Sequence, residues 1–391
     1  MMKALEFYSG IGGLHYSLSE ARGDSAEVLA AFDINPLANK VYERNHGIRP
    51  NASDIGSLKP AYLDAYEADV WLLSPPCQPY TRQGLQLGSQ DPRAESFILL
   101  LEKIEKLENP PNYLLIENVV GFEKSSTREY LIATMKRNNY TTQEFVVSPL
   151  DLGVPYSRSR YFCIAKRQPL RFSNPQGDFQ FVTKPPQWNW KEEEGEGEEE
   201  EEERKLMIKD FLVDTSDDDD RFFVKKAVKD KYLDCIDIVT PFSSRCCCFT
   251  KSYFKFFKGT GSVIAVNAIP LAKEKQKGEK EHHHHHHHKE EEEEGKREGE
   301  GDGSFVDADG LVHIHLSSIP GRGNVEKVQE GILEKLNLRY FTPREVANLH
   351  SFPPHFTFPE DVTIKQRYAL LGNSLSVAVV KRLLLYLFSE E

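Results

Sequence analysis

Two periods of apolar spacing alternate along the first 166 residues. Short apolar runs at 3–8 (KALEFY), 28–32 (VLAAF), 70–73 (VWLL), 113–116 (YLLI), 144–147 and 160–165 (RYFCIA) read as strands. A further short strand is expected over 51–55. Between these runs, 14–21 (LHYSLSEA), 94–107 (AESFILLLEKIEKL) and 127–137 read as helices, the second strongly amphipathic. Strand and helix in alternation predict an α/β fold on a parallel, doubly wound sheet. The pattern fades after 166 and returns near the C-terminus. There, 343–350 reads as a helix capped by Thr342, and 374–388 (SLSVAVVKRLLLYLF) as a helix apolar at most positions.

The interval between is compositionally different. Residues 191–203 hold ten Glu and one Lys, 217–220 are four Asp, and 273–303 are charged, glycine-dotted and include His282 to His288. Such runs cannot bury a core and are expected to be disordered insertions. The seven consecutive histidines lack a spaced scaffold, so no metal site is expected. The domain expectation is therefore a first part over 1–166, a smaller unit over 167–334 with insertions near 191–203 and 273–303, and a return to the first part over 335–391.

The net charge of −12 arises in those insertions: 191–203 carry −9 and 289–302 carry −5, so the remaining chain holds +2. That balance permits a nucleic acid partner without requiring one. No apolar run reaches the ~18 residues of a membrane span, and the N-terminus lacks signal-peptide features. Of six cysteines, three are adjacent at 246–248, which suits neither a disulfide framework nor a paired zinc site. A reduced, intracellular, membrane-free protein is expected.

Candidate chemistry sits at the predicted strand ends, where α/β folds place ligands. The first strand runs into Ser9-Gly10-Ile11-Gly12-Gly13, a glycine turn that lets backbone approach a ligand closely. The second ends at Asp33, which could accept from ribose hydroxyls or cap the next helix. Asp54 and Ile55 close the expected short strand. The run at 70–73 ends in Ser74-Pro75-Pro76, because proline cannot donate to a sheet ladder, and Cys77 follows. Two prolines and Gln78 are poor core surroundings, so this thiol reads as reactive rather than buried filler. Glu117, closing the next strand, is a candidate proton donor or an exposed loop edge. Arg158 and Arg160 lie two apart on an extended segment and so point the same way, either onto a phosphate or base edge or into solvent. Leu371-Gly372-Asn373-Ser374 is a second glycine turn before a helix. Over 249–261, Phe249, Tyr253, Phe254, Phe256 and Phe257 interleave with Lys251, Lys255 and Lys258; aromatics could stack on bases, but the pattern reads first as core.

Taken together, S-G-I-G-G, P-P-C-Q, E-N-V, S-R-S-R and G-N-S, in that order, resemble the cytosine-5 methyltransferase family. The resemblance implies a Rossmann-like S-adenosylmethionine-dependent sheet with a smaller target-recognition domain. It makes Cys77 the nucleophile and Glu117 the acid, with Arg158 and Arg160 at the target base. It also places Ile11, Gly12, Gly13, Asp33, Asp54, Ile55, Ser74, Asn373 and Ser374 around the S-adenosylmethionine. Cys248-Phe249-Thr250 with K-S-Y and G-T-G-S, and Arg339-Tyr340-Phe341-Thr342-Pro343, resemble the branch that methylates cytosine-38 in the anticodon loop of aspartate tRNA. Departures are the extra thiols Cys246 and Cys247, and His350-Ser351 where the family has Leu-Gly before Phe-Pro. The implied partner is tRNA, with DNA weaker; a monomer in the cytoplasm, and also the nucleus, is expected. A DNA cytosine-5 methyltransferase and a catalytically silent nucleic-acid-binding protein are the alternatives.

Overall fold

A computed structural model describes residues 1–76, 92–173, 181–182, 206–214, 220–232, 235–270, 305–306, 312–314 and 336–389. The acidic runs at 191–203 and 217–219, the run 273–303 with its histidines, and Cys77 itself lie outside the described residues.

The apolar runs build a seven-stranded sheet from β1 (Met2–Phe7), β2 (Ala26–Phe32), β3 (Val70–Leu73), β4 (Tyr113–Val119), β5 (Tyr140–Val147), β6 (Arg160–Arg167) and β7 (Phe181–Val182). Their spatial order is β2-β1-β3-β4-β6-β5-β7. β2, β1, β3 and β4 are mutually parallel, as the alternating pattern predicts. β6 instead runs antiparallel to both β4 and β5. The connection from β5 to β6, residues 148–159, holds no helix beyond a four-residue 3-10 turn, Pro149–Leu152. Without a crossover helix to carry the chain over the sheet, the strand turns back beside its predecessor. The expected strand over 51–55 is absent: Asn51 makes one isolated bridge to Phe32, and Ile55–Ser57 is a 3-10 turn.

Helices cover both faces. On one side α1 (Gly13–Arg22) and the C-terminal helix Val377–Phe388 pack over Ala4, Val28, Val70, Leu72 and Leu115. On the other, the helices Pro92–Ile104 and Ser126–Arg137 cover Leu5, Phe7, Trp71, Leu73, Leu114 and Ile116. Alternate residues of β1, β3 and β4 thus feed opposite cores, the period-2 consequence of strand geometry. Ile364–Phe388 spans 25 residues and contains an 18-residue stretch of mean hydropathy 1.4, the length and apolarity of a membrane span. Asn373 to Ser376 interrupt it, and Val377, Leu383, Leu384 and Leu387 are buried in the protein core. Thr342 caps its helix as predicted, reciprocated by Glu345, which also forms a buried two-pronged pair with Arg339 at 2.7 and 2.8 Å. A third core joins α1 and α2 (Pro36–His46) to residues 208–265 and 336–377, around a three-stranded sheet of Asp237–Val239, Ser262–Ala265 and Leu338–Tyr340.

Beneath the first glycine turn lies a titratable cluster that the mechanism below does not use. Glu6, with no exposed surface, accepts a 2.7 Å hydrogen bond from Tyr42, whose hydroxyl also meets His15 Nδ1 at 2.7 Å. Burial pushes the Glu6 carboxyl up from 4.5 to about 8. Between those values the folded chain keeps a proton that the unfolded chain releases, so stability falls as pH rises through the window. Glu6→Gln carries no charge at any pH. Its melting temperature, followed from pH 5 to 9, should decline less steeply than that of the wild type; parallel curves would contradict this.

Candidate active site

The carboxyl ends of β1 to β4 and the turn at 372–375 enclose a cavity of about 480 Å³, well within the range of small-ligand sites. The chain enters it through the first glycine turn. Gly12 adopts φ +85°, and a Cβ there would lie 2.1 Å from His46 Nε2, so only glycine lets the turn pass over that ring. Gly12 therefore shapes the turn and faces His46, whereas Ile11 and Gly13 line the cavity. A Cβ on Gly13 would meet Leu375 at 3.0 Å and Ser374 Oγ at 3.3 Å, which is how closely the N- and C-terminal turns approach.

Asp33 is not a helix cap. Asn35 caps α2, accepting from Leu37 and Ala38, and Asp33 turns its carboxylate back to Gly10 N–H (2.9 Å) and Asn35 N–H (2.8 Å). It lines the cavity, and burial raises its carboxyl above the ordinary aspartate value, against those two donors. Asp54 and Ile55 line the same wall; Asp54 fixes its turn by accepting from Gly56 N–H at 3.1 Å. Asn373 and Ser374 form the opposite lip.

At the far end stands Glu117, 7 % exposed, in β4. Both its oxygens are held. Ser74 Oγ donates to Oε2 at 2.7 Å, and Arg160 Nε lies 3.4 Å from Oε1. The neighbouring Asn118 amide donates to Pro75 O at 3.3 Å. β3 and β4 are paired in register, so side chains at the end of one strand pin the Ser74-Pro75-Pro76 exit of the other. Ser74, Pro75 and Pro76 all line the cavity, and the next residue in sequence is Cys77.

The two arginines divide. Both reach the cavity, but Arg158 is 3 % exposed and its hydrogen bonds are spent inside the protein. Nη1 donates to Tyr156 Oη (3.4 Å), Cys248 Sγ (3.3 Å) and Phe249 O (3.2 Å). Nη2 donates to Gly372 O (3.0 Å) and Ser374 O. Through Nη1 and Nη2 Arg158 thus acts as a positioning residue that ties these segments together, while its Nε, buried and making no internal hydrogen bond, is the one guanidinium nitrogen left over. Arg160, beside Glu117, retains the cavity-facing role.

Sequence reasoning missed Cys248 as a partner of Arg158 behind this wall, using it only as a branch marker. Burial alone would raise its thiol; the guanidiniums of Arg158 and Arg160 reverse that and hold it below the ordinary value. Its neighbour Cys246, fully buried, is pushed up by burial. The signal available in the sequence was chemical rather than periodic: two arginines and one thiol, 88 to 90 residues apart, with no local pattern linking them.

Residues 2–388 match the family of C-5 cytosine-specific DNA methylases. The chain belongs to this family. It is 37 % identical to the tRNA (cytosine(38)-C(5))-methyltransferase of Mus musculus, over 98 % of this chain and 92 % of that protein. It is 35 % identical to a DNA (cytosine-5)-methyltransferase of Dictyostelium discoideum, over 99 % and 94 % respectively. Among solved structures, the S. pombe Dnmt2 methyltransferase matches with TM-score 0.72 and 30 % identity, covering 99 % of this chain and 98 % of that one. Membership of the methylase family agrees with the α/β sheet and with the order of motifs around the cavity.

Arg158→Lys replaces a planar fork by a point charge and strands at least two buried carbonyls, which should cost about 2–4 kcal/mol of stability. Arg160→Ala should shift the urea midpoint far less, because that side chain faces the cavity. Equal midpoints for the two variants would contradict the division.

Proposed function

We propose that this protein methylates carbon 5 of a tRNA cytosine, position 38 in the anticodon loop of aspartate tRNA, using S-adenosylmethionine. The observation that carries this reading is Glu117. A buried carboxylate is fixed through both oxygens beside the strand exit that runs into Cys77, over a cavity large enough for a nucleoside-sized donor. The full-length similarity to proteins named for cytosine-38 of tRNA supports the substrate.

The cavity fits the donor chemically. Ile11, Ile34, Ile55, Leu370 and Leu375 offer apolar surface for a purine, while Asp33, Asp54 and Asn373 offer polar groups for ribose hydroxyls and an amino-acid tail. When bound there, S-adenosylmethionine supplies an electrophilic methyl group. The chain's own residues prepare the base. The Cys77 thiolate adds to carbon 6 of cytosine, and the ring electrons gained make carbon 5 nucleophilic. Glu117 supplies a proton or hydrogen bond at ring nitrogen 3, where negative charge develops. Arg160 holds the Glu117 carboxyl in place and adds positive potential that favours a thiolate in this region. After methylation, a base removes the carbon-5 proton, the carbon–sulfur bond breaks and the thiol leaves. Stacking shields carbon 6, so the cytosine must be extruded or already unpaired; a loop nucleotide meets that need at low cost.

A tritiated-methyl assay on tRNA and duplex DNA tests the substrate, with bisulfite sequencing to locate the product. Label should enter tRNA at position 38, and Cys77→Ala should lower the rate by about a thousandfold or more. Label in duplex DNA with none in tRNA would reject the RNA reading. Unchanged transfer by Cys77→Ala would reject the covalent mechanism.

A further inference from the structure

Among the described residues, Phe256 is the most exposed aromatic large hydrophobic, at 54 %. It belongs to the interleaved segment that reads from sequence as core, and the structure separates that segment's aromatics. Tyr253 is buried, donating to Ser262 O at 2.7 Å and accepting from Phe341 N–H at 3.0 Å. Phe249 is buried against Tyr156 and Phe341. Phe254 packs on Tyr340 and Tyr368, and Phe257 stacks on Tyr232 with centroids 5.1 Å apart. Four rings anchor the loop; the fifth is left outside.

That ring is held rather than loose. Thr250 N–H donates to Thr260 O at 2.9 Å and closes the loop. Phe256 N–H donates to Ser252 O at 3.0 Å, and Thr260 Oγ1 donates to Phe256 O at 2.6 Å. Phe254 sits at φ +66°, a left-handed conformation that a bulky residue keeps only when its surroundings impose it. The backbone thus accepts strain at a half-buried anchor, two residues before an apolar ring that faces water.

The surroundings are basic. Between 245 and 270 the chain carries Arg245, Lys251, Lys255 and Lys258 and no acid, in a protein of net charge −12. All four are exposed, and Lys255 Nζ lies 5.2 Å from the Phe256 ring centroid. The loop's base also touches the cavity wall. A Cβ on Gly372 would lie 2.2 Å from Lys251 N, and Gly372 O accepts from Arg158. Five residues beyond Lys251 can reach at most ~17 Å, so Phe256 lies within about that distance of the Gly372 wall, on the scale of two or three nucleotides of an extended strand.

We infer that Phe256, flanked by Lys255 and Lys258, is a stacking platform for an unpaired nucleotide of the RNA, within two or three nucleotides of the one being modified. An exposed ring offers every base a π-face, while the lysines meet the phosphates on either side. A protein partner would find one isolated ring among cations, whereas a loop nucleotide matches both features. The inference rests on the RNA reading above.

The test uses the full chain and an unmodified aspartate tRNA transcript, with affinity read by fluorescence anisotropy at several salt concentrations. Phe256→Ala should weaken binding about tenfold without changing the salt slope. Phe256→Trp should restore it to within about twofold. Lys255→Gln with Lys258→Gln should weaken binding and reduce the salt slope by about one to two. If the wild type methylates the transcript and Phe256→Ala binds it as tightly, this inference alone is overturned. If the wild type binds and methylates only duplex DNA, the RNA reading and this inference fall together.

Discussion

The buried guanidinium of Arg158 is the constraint on which the site depends. Taking a cation out of water costs several kcal/mol unless its donors are matched. Here the donors of Nη1 and Nη2, though not that of Nε, are matched by three separate stretches: Tyr156, the Cys248–Phe249 segment, and the turn at Gly372 and Ser374. No two of these stretches are near in sequence. Breaking the array would leave a buried charge and several carbonyls unmatched at once, so the three segments are held together as a unit. The C-terminal turn is thereby set against the first glycine turn, and the cavity between them is closed on that side.

On the opposite side the same economy is achieved by sheet register. β3 ends at Leu73 opposite Ile116 while β4 continues to Val119, so Ser74 reaches Glu117 and Asn118 reaches Pro75 without any long-range adjustment. Arg160, two residues beyond Arg158 and on the same face, closes the chain of contacts at Glu117. One arginine secures the wall and the next pairs with Glu117, which gives the Arg-x-Arg spacing a mechanical reason. Cys248 sits between them, its thiol lowered by both. Glu117 and Arg160 are therefore arranged on strands of the main sheet, and the loop that carries Phe256 is joined to the cavity wall through the Gly372 contact.

Much of this was legible in local pattern. Short apolar runs located six strands of the main sheet, because a strand that feeds two cores is apolar on both faces. Thr342 was legible as a cap because Glu345 stands three residues on. Other features were not. The direction of β6 depends on which neighbour it pairs with, and nothing within Arg160–Arg167 encodes that. Asp33 offered two readings, and the choice was made by Asn35, which took the capping role and left Asp33 to the glycine turn.

By itself, the sequence determined the alternating elements, the glycine turns, and the set of chemical groups at strand ends, since periodicity and turn chemistry act over a few residues. It also determined the order of motifs that marks the family. Only the tertiary structure decided that Arg158 ties three segments together while Arg160 pairs with Glu117, that a Cβ on Gly12 would strike His46, and that of five neighbouring aromatics two are core, two pack half-buried against it and one is exposed. Each of these depends on partners dozens to hundreds of residues away, and no short-range pattern carries that information.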